Sequence, residues 1–210
     1  MTYFPFYDRM KAVMKMNIYL IRHAQTEHNK KGRVFSGKSD ISISEEGERQ
    51  AEKCRNFPFI SKTEAVYISP LKRTKETADI IFPKNIPRYV IPEFAEMDFG
   101  EYEGKVLEEN TKDEIFLKWL HNPEGLVFPG GDSLREHAEE AVSALKKIVR
   151  ESDAENIAIV SHRTTIRLIV TLLMKKELSS FREQDCDNCA MIKIRYENNG
   201  FFVDEMNVKA

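Results

Sequence analysis

Apolar positions along the chain fall into short solid runs and into stripes at helical spacing, and the two patterns take turns. Ile18 to Ile21 make an apolar run of strand length that is closed by Arg22-His23, so residues 17–22 are the first expected strand. A polar loop carrying Gly32, Gly37 and Asp40 follows. Ser44-Glu45-Glu46-Gly47 then opens a helix, with Ala51, Cys54 and Arg55 at helical intervals and Pro58 at its end. AVYI at 65–68 predicts a second strand, and the next helix starts with Pro70 in its first turn, passes Thr74, Ala78 and Ile81, and stops at Pro83. A short extended run near 88–91 is a third strand.

The pattern changes between Glu93 and Gly131, where acidic and glycine-rich loops surround one amphipathic stretch, Asp113 to Leu120. This segment reads as a small helical and loop cap inserted at about 97–131. Asp132 or Ser133 caps a long helix to about Arg150, and IAIV at 157–160 is a strand leading into a helix from about Thr164 to Met174. Two alternating runs around Glu197-Asn198-Asn199-Gly200 predict a terminal hairpin. Strands alternating with helices imply an α/β fold: a three-layer αβα sandwich with a mostly parallel sheet and an antiparallel C-terminal edge hairpin. Residues 17–210 are read as one domain preceded by an N-terminal extension, 1–16.

Composition narrows the class. Hydrophobic residues at 41% and charged residues at 31% suit a globular chain, and no apolar run nears the roughly 18 residues of a membrane span. The net charge of -2 supplies no general attraction for nucleic acid or acidic membranes, so neither is an expected partner. The opening MTYFPFYDRMKAVMKM has no uninterrupted apolar core of a secretion signal, which makes the cytoplasm the default location. Three cysteines are an odd number, and Cys186-Asp-Asn-Cys189 lacks the second ligand pair that zinc wants, so these are read as ordinary thiols and no metal site is expected.

In open α/β sheets, ligands bind beyond the carboxyl ends of strands. That rule singles out Arg22-His23 and Ser161-His162, with Arg73 near the start of the helix after the second strand. Singly, each has a plainer reading: a structural histidine, a solvated helix arginine, and, for Glu96, one more carboxylate in an acidic loop. Together, two histidines and two arginines suit a phosphate dianion, which takes bidentate bonds from planar guanidinium groups. The arginines would also repel a divalent cation.

Six segments then carry a resemblance. LIRHAQTEHN, GRVFSGKSDISISEEGERQAEK, SPLKRTKETA, EMDFGEYEG, PGGDS and VSHRTTIR occur in the order and approximate spacing of the histidine phosphatase superfamily, the phosphoglycerate mutase-like proteins. The resemblance implies that His23 is a nucleophile that becomes phosphorylated, that Arg22, Arg73 and His162 hold the transferring phosphoryl group, and that Asn29 is a further phosphate contact. It aligns Glu96 with the proton donor and places Gly37 among the phosphate-binding candidates. Ala24 and Arg163-Thr164 stand where the family usually has glycine. Arg163 is counted as a binding candidate for a second anionic group, with solvent the slightly favoured destination of its side chain.

The implied activity is a metal-independent and cofactor-free phosphomonoesterase acting on a small metabolite. The first motifs are similar to those of α-ribazole phosphatases and of broad-specificity sugar-phosphate phosphatases. A cofactor-dependent phosphoglycerate mutase and a non-catalytic phosphate-binding protein are the alternatives. Phe and Trp in the cap segment would support a self-contact between two copies.

Overall fold

Six strands form one sheet in the order β3-β2-β4-β1-β5-β6. The computed structural model describes residues 15–30, 34–106 and 112–210, so most of the expected N-terminal extension, Gly32, and 107–111 of the cap segment lie outside the described residues. Strands β1 (Met16–Arg22), β2 (Ala65–Ile68), β3 (Arg88–Val90) and β4 (Asn156–Ser161) run parallel. Strands β5 (Met191–Glu197) and β6 (Gly200–Val208) are antiparallel. Asn198 and Asn199 both take positive φ, 53° and 60°. This is the left-handed pair that a two-residue hairpin of the favoured twist demands, and asparagine tolerates it better than most residues.

The solid apolar runs are explained by burial on both faces of the sheet. Ile18 and Leu20 of β1, with Ile157 and Ile159 of β4, pack with Leu145 of α5 (Leu134–Glu151) and Ile169 of α6 (Arg163–Leu173). Tyr19, Ile21, Ala158 and Val160 face the other way, toward Ala51 of α2 (Glu45–Cys54) and Ala78 of α3 (Lys72–Ile81). Alternation of period two is thus present, but both faces are apolar.

Helix starts follow side-chain caps. The Ser44 side chain accepts from Gly47 N, and Ser133 caps α5 by accepting from Glu136 N. Pro70 departs from its expected place: α3 begins at Lys72, with extended Leu71 as its cap and Pro70 in the preceding turn. Ser69 Oγ accepts from Leu71 N there, which holds the turn off the strand end. The four-residue helix α1 (Glu27–Lys30) was unsignalled, since it is too short for an apolar period.

A third apolar cluster sits beside the sheet and joins Phe35, Phe99, Tyr102, Phe116 and Trp119 to Leu134, Leu168 and Phe181. Trp119 belongs to α4 (Glu114–His121), which Asp113 caps. Phe116 and Trp119 are 3% and 5% exposed, so the rings expected to support a self-contact are turned inward.

Candidate active site

Arg22 and Ser161 are paired in register at the carboxyl ends of β1 and β4, so the next residues, His23 and His162, leave neighbouring strands side by side. Their ring centroids are 5.2 Å apart, and His23 N donates to Ser161 O at 2.9 Å. Arg73, in the first turn of α3, crosses to them: its Nε donates to His162 Nδ1 at 3.2 Å. Arg22, His23 and Arg73 open on a cavity of about 420 Å³, whose wall also carries Asn29, Glu96 and Arg163, whereas His162, expected to hold the phosphoryl group, is fully buried and does not line it.

The protonation states follow from the partners. His23 Nδ1 is 2.7 Å from Ala24 O, and a carbonyl only accepts, so the proton is on Nδ1 and the lone pair on Nε2. Burial, then the charges of Arg73 and Arg22, push the His23 pKa well below the ordinary histidine value and keep the ring neutral. His162 has the other tautomer: Nδ1 accepts from Arg73, so Nε2 carries the proton and donates to Ser69 Oγ at 2.7 Å. Its pKa is also driven well down, first by burial and then by Arg73.

The two arginines of the floor are held unequally. Arg22 Nη1 donates to Cys186 O at 2.9 Å, while its buried Nε has no partner. Burial, then Arg163, lowers Arg22 to about 10, which leaves it a cation at neutral pH. Arg73 directs four of its five N–H groups at the protein, to His162 and to the carbonyls of Ser36, Gly37 and Ser39. One N–H remains for a ligand, so Arg73 fixes the 36–39 loop as much as it faces the cavity.

Gly37 needs correction as a phosphate-binding candidate. Its N–H donates to Glu103 at 2.8 Å, and it does not line the cavity. Glu103 also accepts from Lys38 N and Ser39 Oγ, tying the loop from the side opposite Arg73. A Cβ on Gly37 would lie 2.1 Å from Met97 O, so close backbone approach explains the glycine.

Glu96 is 9% exposed and sits on the start of α6. One oxygen accepts from Thr164 N at 3.2 Å; the other accepts from Thr165 N, Thr165 Oγ1 and Met97 N at 3.1 to 3.2 Å. A carboxylate suits the free N–H groups and positive dipole end of a helix. Behind it, Thr165 Oγ1 meets His137 Nε2 at 3.0 Å, and His137 Nδ1 faces Asp132 at 3.5 Å. Sequence reading missed Thr165 and His137, because their proximity to Glu96 depends on the α5 and α6 packing.

It also missed Asn188, whose Nδ2 donates to His23 O at 2.9 Å and to Asn29 Oδ1 at 3.2 Å. The signal lay inside Cys186-Asp-Asn-Cys189, but in the backbone and Asn188. Cys189 N donates to Arg22 O and Arg22 N to Ala190 O, so this segment clamps the end of β1. Its thiols face different layers: Cys186 packs with the α5 and α6 side, Cys189 with the α2 and α3 side. Burial pushes Cys186 up to about 11, away from the thiolate that redox or metal chemistry requires. No cluster of three or more His, Cys, Asp or Glu with metal-holding geometry occurs among the described residues.

Arg163 corrects the preference for solvent. It is the first residue of α6, half-buried, and it lines the cavity.

Comparison with known proteins bears on this geometry. The sequence profile of the Histidine phosphatase superfamily (branch 1) matches residues 18–209. Phosphoserine phosphatase 1 of Hydrogenobacter thermophilus is 29% identical over 196 residues, covering 92% of each chain. The adenosylcobalamin/α-ribazole phosphatase of Salmonella typhimurium is 27% identical and covers 81% of this chain and 88% of its own. In three dimensions, phosphoserine phosphatase from Entamoeba histolytica, solved with 3-phosphoglyceric acid, superposes with a TM-score of 0.84 at 24% identity over 92% of this chain and 98% of the other.

Proposed function

The chain belongs to the histidine phosphatase superfamily, branch 1, and from that premise we propose that it hydrolyses a small phosphomonoester through a phosphohistidine on His23. The observation that carries this reading is the His23 tautomer. A nitrogen lone pair on Nε2, in a ring kept neutral by burial and neighbouring cations, opens on a cavity whose floor is arginine.

In the first step the Nε2 lone pair forms the N–P bond while the P–O ester bond breaks and its electron pair leaves on the substrate oxygen. Glu96, when it carries a proton, passes it to that oxygen. In the second step water attacks phosphorus, the N–P bond breaks back onto Nε2, and the Glu96 carboxylate takes the water proton. The cycle returns every group to its starting state. Arg22, Asn29 and the remaining N–H of Arg73 meet the charge on the phosphoryl oxygens, the main contribution a protein can make to this transfer. His162 is neutral and bonded on both nitrogens, so it acts by holding Arg73 and Ser69 in place.

The three cysteines stand as free thiols, and a reducing cytoplasm is the compartment proposed for them. The test of the reaction is release of inorganic phosphate from a panel of metabolite monoesters with excess chelator present. Release by the wild type, and its loss in His23→Ala, are expected. Undiminished release by His23→Ala overturns the assignment.

A further inference from the structure

The outer wall of the same cavity carries a second group of cations that the transfer just described does not use. Arg163, Arg167 one turn further along α6, and Arg182 all line it. Arg163 Nε is buried without a partner, and Arg163 donates no hydrogen bond among the described residues. A buried donor left unmade is costly and rare, and its usual explanation is a ligand or an ordered water. The repulsion is visible in its neighbours: the Arg163 charge lowers the pKa of both Arg22 and Arg167.

Among the described residues no carboxylate forms an ion pair with Arg163 or Arg167, though Asp185 and Glu96 act on Arg167, and Asp187 on Arg163, at longer range. Glu96 and Asp187 are the carboxylates on the described wall. Glu96 accepts from Met97 N and, at the start of α6, from Thr164 N, Thr165 N and Thr165 Oγ1, and Asp187 is held by Lys209 Nζ at 2.7 Å and Asn207 Nδ2 at 3.2 Å. The wall also offers little to a ring. Phe35, Phe99, Trp119 and Phe181 reach the cavity but are at most 5% exposed, with their faces packed against one another and the third cluster. A volume of about 420 Å³ is at the small end for ligand sites.

We infer that Arg163 and Arg167 form a second anion subsite, and that the substrate is the phosphomonoester of a small hydroxycarboxylic acid. Its phosphate lies over His23 and its carboxylate reaches Arg163, whose planar fork matches it. An ammonium on the adjacent carbon would be pressed against the same cations while both wall carboxylates are already engaged. The site therefore favours the hydroxy acid ester over the corresponding amino acid ester, and both over an ester with an uncharged or aromatic tail. This inference rests on the phosphatase reading for its chemistry, but not for its binding.

The experiment separates the two. Binding of 3-phosphoglycerate, O-phosphoserine and glycerol 3-phosphate is measured by calorimetry on His23→Ala protein, with and without Arg163→Gly or Arg163→Lys. Phosphate release from the same three esters is measured on the wild type. The expected result is that 3-phosphoglycerate binds about tenfold or more tighter than glycerol 3-phosphate, with O-phosphoserine between them. Arg163→Gly brings the three within about threefold while unfolding at an unchanged temperature, and Arg163→Lys restores part of the preference. Equal binding by all three esters, or a preference that survives Arg163→Gly, overturns the subsite. Binding preference without any phosphate release removes the hydrolytic reading and leaves the subsite standing.

Discussion

Arginine builds both the floor and the outer wall of the cavity, yet the two regions are held in opposite ways. On the floor, Arg73 is 1% exposed and has four N–H groups bonded to the protein. On the wall, Arg163 is half-buried and bonded to nothing among the described residues. A cation fixed by carbonyls before any ligand arrives requires no reorganisation during reaction, which is what phosphoryl transfer rewards. A cation left without partners gains most when an anion arrives, which is what discrimination between ligands rewards. The floor is therefore built for chemistry and the wall for choice, and substitutions in each should separate kcat from KM.

The largest effect should come from the floor. His23→Ala removes the attacking nitrogen, and kcat is expected to fall by about 10⁴ or more while phosphate affinity changes little. Steady-state kinetics with one good ester reads this, and a loss confined to KM would erase the contrast between the regions.

Arg73→Met comes next and acts on stability as well as rate. It leaves three loop carbonyls and His162 Nδ1 without their donor, so a loss of ~2–4 kcal/mol in urea unfolding is expected. Arg163→Gly, in contrast, should cost no stability. Equal destabilisation by the two substitutions would show that floor and wall are held alike.

Thr165→Val tests the support of the acid. It removes the hydroxyl joining Glu96 to His137 while leaving the Thr165 N–H bond intact. A fall of about tenfold in kcat with KM unchanged, and a shifted pH profile, are expected; Thr165→Ser should recover most of it. A loss in KM alone would assign Thr165 to the wall.

The last test is in pH. His23 and His162 both have folded pKa values below the unfolded value of about 6.5, so in acid the unfolded chain binds more protons than the folded one. Their stability contribution is full above about pH 6.5 and is lost as pH falls from there toward the folded values. Each contributes up to about 1.4 kcal/mol per pH unit within that window. Urea midpoints at pH 7 and 5.5 check the sign, and a midpoint at least as high at pH 5.5 would contradict neutral histidines.

The sequence made the floor legible because its parts are local. An apolar run ending in Arg22-His23, and another ending in Ser161-His162, place both rings at one sheet edge through the ordinary geometry of parallel strands. The hairpin was equally readable, since Asn198-Asn199-Gly200 encodes its turn without help from the core. The wall depends on distant packing. Asn188 bonds to His23 O and Asn29 from 165 and 159 positions away, and the Cys-x-x-Cys spacing around it draws attention to the thiols instead. Gly37 failed as a phosphate contact because Glu103, 66 positions later, takes its N–H. Arg163 was conspicuous as a departure from glycine, but only the packing of α6 shows which way it faces.

The nucleophile itself can be examined by trapping it. Wild-type protein mixed with a turned-over ester is quenched in alkali, where a phosphohistidine survives, and the peptide containing residues 17–29 is isolated for mass spectrometry and phosphorus NMR. With Nδ1 bonded to Ala24 O, phosphate is expected on Nε2 of His23 and nowhere else. Phosphate on Nδ1, on another residue, or absent from the peptide during turnover would contradict the central claim.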